Sequence, residues 1–179
     1  MSGMRKLSLL FLLGLLCLFT TAFQKSSLKF TVPPGWIEEE RTSSMRVAQY
    51  RLTPAEGDTE NGSVVLYYFG QGQGGSTAAN IERWVSQMKQ ADSRSKEVAK
   101  EERLEVNGLR VATVDVAGTY VAETTPGSGT FENRSGYRLL AAVVETPNGP
   151  YFLKLVGPEK TVARWNESFL GFLKSFEFR

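Results

Sequence analysis

The sequence has no histidine and a single cysteine, Cys17, in 179 residues. Without imidazole there is no Ser-His-Asp or Cys-His arrangement, no ordinary general base near neutrality and no common zinc site. A dominant charge is missing as well: 21 Lys+Arg stand against 19 Asp+Glu. So even a balance argues against nucleic-acid binding by bulk charge. What is present suffices for a packed core, since 41% of the residues are apolar and the length suits one domain. Composition excludes collagen-like, disulfide-scaffold and fully disordered chains.

Residues 1–22 read as an export signal, separate from the fold. Arg5 and Lys6 make a positive start, Leu7–Phe19 is a nearly unbroken apolar run, and Thr20-Thr21-Ala22 offers small residues to a signal peptidase. The run falls short of the roughly 20 residues a membrane span needs; a retained N-terminal anchor is the alternative. Cys17 follows Leu16, where a lipid-modified cysteine would want a small residue, and is expected to be lost on processing. Cleavage near Ala22 leaves 157 residues with no cysteine and, because Arg5 and Lys6 are gone, 19 Lys+Arg against 19 Asp+Glu. A chain of this kind is expected in the periplasm or outside a bacterial cell, held by core packing in place of disulfides. It is expected to bind no nucleic acid and to make no stable insertion into the membrane.

Residues 23–27 form a leader, and 28–179 one domain without repeats. Leu28–Val32 alternates like a half-buried strand and stops at Pro33-Pro34-Gly35, with Trp36 following. Met45–Leu52 is a strand; Pro54–Gly62 is a polar acidic loop; Ser63–Phe69 is an interior strand, apolar on both faces. Ser76 caps a helix over about Thr77–Ala91, whose stripe is Ala78, Ile81, Trp84, Val85 and Met88. Asp92–Arg103, with eight charges in twelve residues, reads as a solvated linker or helix tail. Arg103–Val106 and Leu109–Val121 flank the Asn107-Gly108 turn of a hairpin. Glu123–Ser135 reads as a long loop, Tyr137–Glu145 as a strand apolar on both faces, and Tyr151–Val156 as its partner across Pro147–Pro150. Pro158 and Glu159 open a terminal helix with Val162, Trp165, Phe169, Phe172, Leu173 and Phe176 on its inner face. Short late connections require antiparallel pairing, so the expected class is α+β, an antiparallel sheet packed against two amphipathic helices.

The start Phe30-Thr31-Val32-Pro33-Pro34-Gly35-Trp36 is similar to the F-x-x-P-x-x-W opening of bacterial domains with the PsbP-like fold. The strand Tyr151–Val156 running into a Trp- and Phe-bearing helix is similar too. The fold is shared with the Ran-binding Mog proteins and the extrinsic photosystem II subunit. The resemblance implies an α/β/α sandwich over nearly all of 28–179, a protein-binding or assisting role, and no catalytic residue set.

Gly70-Gln71-Gly72-Gln73-Gly74-Gly75 satisfies G-x-G-x-x-G between a strand and a helix. The dinucleotide reading also needs a second parallel strand ending in an acid, and the charged stretch after the helix offers none. Glu38-Glu39-Glu40 and Glu56–Asn61 are read as solvated, the latter lacking calcium-loop spacing. Asp115 is expected to face away from Ala112, Val114 and Val116 at an exposed position, the alternative being a structural pairing with Arg110 or Arg138 across neighbouring strands. Trp84 and Trp165 belong to helix stripes, whereas Trp36 either plugs the core or lines a groove. No cofactor, metal or catalytic residue is expected. The expected function is therefore non-catalytic binding to another envelope protein through Gly70–Ser76 and Glu123–Ser135, loops on a rigid scaffold. Candidate contacts are Trp36, Tyr68, Gly72, Gly74, Gly75, Ser76 and Phe131. Two alternatives stay open: a carrier of a small apolar ligand between sheet and terminal helix near Trp36 and Tyr68, and a hydrolase using two convergent carboxylates.

Overall fold

An alternation such as Leu28-Lys29 can bury one face of a strand, whereas Leu139–Val144 (LLAAVV) can bury two, and this difference orders the structure. The computed structural model describes residues 26–90, 98–123 and 128–179; the export-signal reading and most of the charged linker lie outside them. In chain order the elements are β1 (Leu28–Lys29), β2 (Ile37–Glu38), β3 (Arg46–Leu52), β4 (Gly62–Tyr68) and α1 (Thr77–Ser86). Then come β5 (Met88–Lys89), β6 (Lys100–Val106), β7 (Leu109–Glu123), β8 (Phe131–Val144), β9 (Tyr151–Pro158), α2 (Glu159–Lys174) and β10 (Glu177–Phe178).

The main sheet is antiparallel in the order β2-β3-β4-β9-β8-β7. The outer edge of β7 serves two partners in turn, β6 along Leu109–Asp115 and β5 at Thr119–Tyr120. β1 and β10 pair apart from it, so the Ser27 and Arg179 backbones exchange two hydrogen bonds (2.9 and 3.2 Å).

Each helix takes one face. On one side Leu140, Ala142, Leu153 and Leu155 pack with Val162, Phe169, Phe172 and Leu173 of α2. On the other, Val114, Leu139, Val143 and Phe152 pack with Ile81, Trp84 and Val85 of α1 and with Met88. Burying one such side chain contributes about 1.5–3 kcal/mol. Asp115 lies on the α2 side, opposite Ala112, Val114 and Val116, and is half-buried where an exposed position was the expectation, because it accepts two bonds from Arg138 (2.8 and 2.6 Å), the alternative pairing. The acidic loop has a use that its composition did not reveal. α2 follows Pro158, which caps nothing with its side chain, and Asp58 substitutes: its carboxylate accepts from the Thr161 N–H and hydroxyl at 2.8 and 2.6 Å. A carboxylate there also meets the positive end of the helix dipole.

Several boundaries differ from the sequence reading: the expected strand Leu28–Val32 is strand only at Leu28–Lys29, and Ile37–Glu38 is strand. The first helix stops at Ser86, because β6 leaves the upper edge of β7 unpaired and Met88–Lys89 takes those backbone groups, burying Met88 fully. Lys100–Arg103 is strand; its charges stand on an exposed edge, where they discourage pairing with other chains. Glu123 and Phe131–Ser135 are also strand, because the β7–β8 ladder continues past the bulge at Gly118 to Glu123↔Phe131. Pairing there rests on backbone groups, so no apolar alternation announces it.

Trp36→Ala is expected to lower stability by about 3–5 kcal/mol and Phe131→Ala by under ~0.5 kcal/mol, because one ring is 8% and the other 62% exposed. Denaturant midpoints of the two variants against the parent check this.

Candidate functional site

The residues singled out in the sequence do not form one surface. Trp36 is core: its ring centre lies 4.9 Å from that of Phe172 and 5.4 Å from that of Tyr50, and its Nε1 donates to Ser168 Oγ at 3.1 Å. The space between sheet and α2 near Trp36, the place an apolar carrier would need for its ligand, is filled by these rings. Tyr68 stacks on Tyr151 (4.6 Å) and donates its hydroxyl to the Asn148 carbonyl at 2.6 Å.

The glycine loop is fastened at both ends. Gly74 has φ +88° and lies so close to the Phe152 ring that a Cβ would stand 2.6 Å from it, which requires glycine. Ser76 Oγ accepts from the Ala79 N–H at 3.2 Å, and the buried Asn80 amide donates to the carbonyls of Gly74 and Ser76 (2.8 and 2.9 Å). The helix start is thereby capped by its own side chain. Gly72 has φ +71° with open space around it, and Gly75 has φ +80°. Tyr68, Gly72, Gly74, Gly75 and Ser76 thus gather at one end of the sheet, beside the β8–β9 turn. Phe131 stands at the other end of β8, roughly 40 Å away at ~3.4 Å per strand residue.

Gly75 and Ser76 open onto a feature the sequence reading missed. An open groove of about 1590 Å³ runs between α1 and the β6–β7 hairpin, floored by Ala78, Ile81, Val85 and Ala112. Its margins carry Glu82, Glu101, Arg103 and Glu105, and one end is closed by Glu145, which pairs with Arg110 at 2.8 Å and accepts from Thr77 Oγ1 at 3.1 Å. Reading Arg103 as linker hid it, because the groove exists only if that stretch is a strand.

A second unforeseen feature lies on the same side of the sheet. α1 covers β7 and β8, while the faces of β3 and β4 on that side stay half-open, presenting Arg46, Gln49, Ser63 and Tyr67. At the seam stands Lys154 of β9. The residue is half-buried as a whole, but its ammonium is nearly enclosed, donating to Gln87 Oε1 at 2.8 Å and Tyr120 Oη at 3.3 Å and lying 5.0 Å from the Tyr120 ring centre. Burial first, and the nearby Arg83 charge second, push its pKa down to about 8. Burial likewise raises the Tyr120 phenol. One lysine in the otherwise uncharged run Tyr151–Val156 was the signal available in the sequence.

The carboxylates at these places have structural partners. Glu60 and Glu132 both meet Arg134 (3.3 and 2.9 Å), and Glu60 also accepts from Tyr137 at 2.8 Å. Among the described residues no group of three or more His, Cys, Asp or Glu is placed to hold a metal ion.

Lys154→Met is expected to be more stable than the parent at pH 7. The folded pKa lies below the unfolded one, so the unfolded chain binds more protons between about 8 and 10.5, and parental stability rises over that window. The charged lysine costs on the order of 3 kcal/mol below it. Lost contacts offset part of this, leaving a net gain of about 1–2 kcal/mol at pH 7. Chemical denaturation of both proteins at pH 7 and pH 10 should show the gap closing at the higher pH.

No protein-family model and no curated protein matches the chain. Solved structures do. LpqN of Mycobacterium tuberculosis, involved in cell envelope biogenesis, is 9% identical with a TM-score of 0.54, over 86% of this chain and 84% of that one. Cyanobacterial PsbP (CyanoP) of Synechocystis sp. PCC 6803 is 14% identical with a TM-score of 0.49, over 88% and 96%. PA94, a protein of unknown function from Pseudomonas aeruginosa, is 12% identical with a TM-score of 0.45, over 89% and 88%. At these identities the likeness is one of fold. The architecture is the α+β arrangement expected from the sequence, one antiparallel sheet between two amphipathic helices, and it is shared with LpqN.

Proposed function

We propose that this chain is an exported, non-catalytic accessory protein of the bacterial cell envelope, acting by contact with another envelope protein. The groove between α1 and the β6–β7 hairpin carries the reading. At about 1590 Å³ it exceeds the ~300–1,000 Å³ of ordinary small-molecule sites and stands open along its length. An apolar floor with a charged margin is the anatomy of a protein contact, in which the centre excludes water and the rim sets orientation. The fold shared with LpqN, a protein involved in cell envelope biogenesis, supports the envelope setting. The non-catalytic part is supported by the partners of Asp58, Asp115, Glu60 and Glu145, each a group that fixes structure.

The test is a photo-crosslinking residue placed in intact native envelopes at Glu82 or Glu105 on the groove margin, and at Glu167 on the exposed face of α2. One discrete crosslinked product from the groove positions, absent at Glu167, is expected. No product from the groove, or the same product from all three positions, would overturn the reading.

A further inference from the structure

Four arginines on the sheet meet carboxylates: Arg51 with Glu39, Arg110 with Glu145, Arg134 with Glu60 and Glu132, and Arg138 with Asp115. The pair at the end of α1 is different. Lys154 gives its protons to an amide oxygen and a phenol, and the Arg83 guanidinium donates to Asn80 Oδ1 at 2.5 Å. Every one of these partners is neutral, and the two cations are close enough for Arg83 to disfavour the charge on Lys154. Arg46, on the same open side of the sheet, also has neutral partners, Gln49 at 2.6 Å and the Tyr67 ring at 5.5 Å. Among the described residues, then, Lys154 and Arg83 bond to no carboxylate, and the Lys154 ammonium is largely withdrawn from water. Enclosed charges are ordinarily paired, because desolvation is otherwise uncompensated.

Depth and access also fit. Arg83 is exposed at the rim, whereas Lys154 is the deeper of the two and retains partial exposure. Two of the three Lys154 ammonium protons are engaged, so the third remains for an incoming acceptor. The Tyr120 hydroxyl and the Gln87 amide are further donors beside it. Tyr67 and Tyr120 supply aromatic surface for a group attached to that acceptor.

We propose that Lys154, Arg83, Gln87 and Tyr120 form a binding site for an oxyanion, a carboxylate or phosphate group carried on a small organic ligand. The site lies apart from the protein-contact groove and goes beyond the accessory role, so its failure would leave that reading standing.

Titration of the intact protein with benzoate, phenyl phosphate and neutral benzamide, followed by NMR of the Gln87 side-chain amide and the Tyr120 ring, tests it. Saturable shifts with at least one of the two anions and none with benzamide are expected; which anion responds distinguishes carboxylate from phosphate. Lys154→Met should weaken that binding at least tenfold, and Arg83→Gln, at an exposed position that leaves the fold intact, severalfold. No saturable shift from either anion, equal shifts from benzamide, or undiminished binding in Arg83→Gln would overturn the proposal.

Discussion

Water has to be kept from both faces of β8 and β9, and the layout of the molecule follows from that. Leu139–Val144 is buried at every position, which no strand with one solvated face permits. The 16-residue α2 closes one side together with the aromatic cluster of Trp36, Tyr50, Phe172 and Phe176. The other side has only α1, of 10 residues. A helix about 10 Å across covers roughly two strands spaced ~4.8 Å apart, so the faces of β3 and β4 stay half-open on that side, with Val65 alone buried among them. The other residues there suit that exposure: Arg46, Gln49, Ser63 and Tyr67 are polar or amphipathic, whereas their neighbours under α1 are Val114, Ala141 and Val143.

Lys154 stands where the two regimes meet. Its register partners are Val65 and Ala141, one on the half-open side and one beneath the helix end. A long aliphatic stem suits that boundary, since it lies against apolar neighbours while the ammonium reaches for polar atoms. What it reaches is Gln87, the residue that ends α1, and Tyr120, the residue just past the β7 bulge. Both arrive there through backbone events. Had α1 run on as its apolar stripe suggests, Gln87 would be a mid-helix residue and Met88 could not sit on the sheet edge.

Much of the fold was legible because it obeys local rules. Asn107-Gly108 announced a hairpin, Ser76 a helix start, and uninterrupted apolar runs announced the interior strands. Hidden features were those set by partners distant in sequence. Asp58 caps a helix that begins a hundred residues later, and nothing in Glu56–Asn61 says so. The extension of β7 and β8 to Glu123 and Phe131 depends on the ladder already formed below. The site was less legible for the same reason. A glycine loop and an odd tryptophan attract notice as sequence, yet Gly74 is glycine because Phe152 lies against it, and Trp36 is tryptophan because the α2 layer needs filling. The groove and the lysine seam are products of which strand lies beside which.

Placement also decides how a contact could be made. Asn148 in the β8–β9 turn donates to the Ser26 carbonyl at 3.2 Å, and Gly149 of that turn packs on Gly70 and Gln71. Asn107, in the β6–β7 turn, donates to the carbonyls of Lys174 and Phe176 at 3.2 and 2.9 Å. The first described residues, the end of α2, both turns and the glycine loop therefore share one end of the sheet, and the groove opens from it at Gly75 and Ser76. Phe131 is at the opposite end, too far away for one ordinary contact of some 20–30 residues a side to include both. Of the two loops that suit recognition, only Gly70–Ser76 adjoins the groove between α1 and the β6–β7 hairpin that we propose as the contact surface. Its rigidity favours that use, since a loop already fixed by Phe152, Asn80 and its own cap has little conformational entropy left to lose on binding.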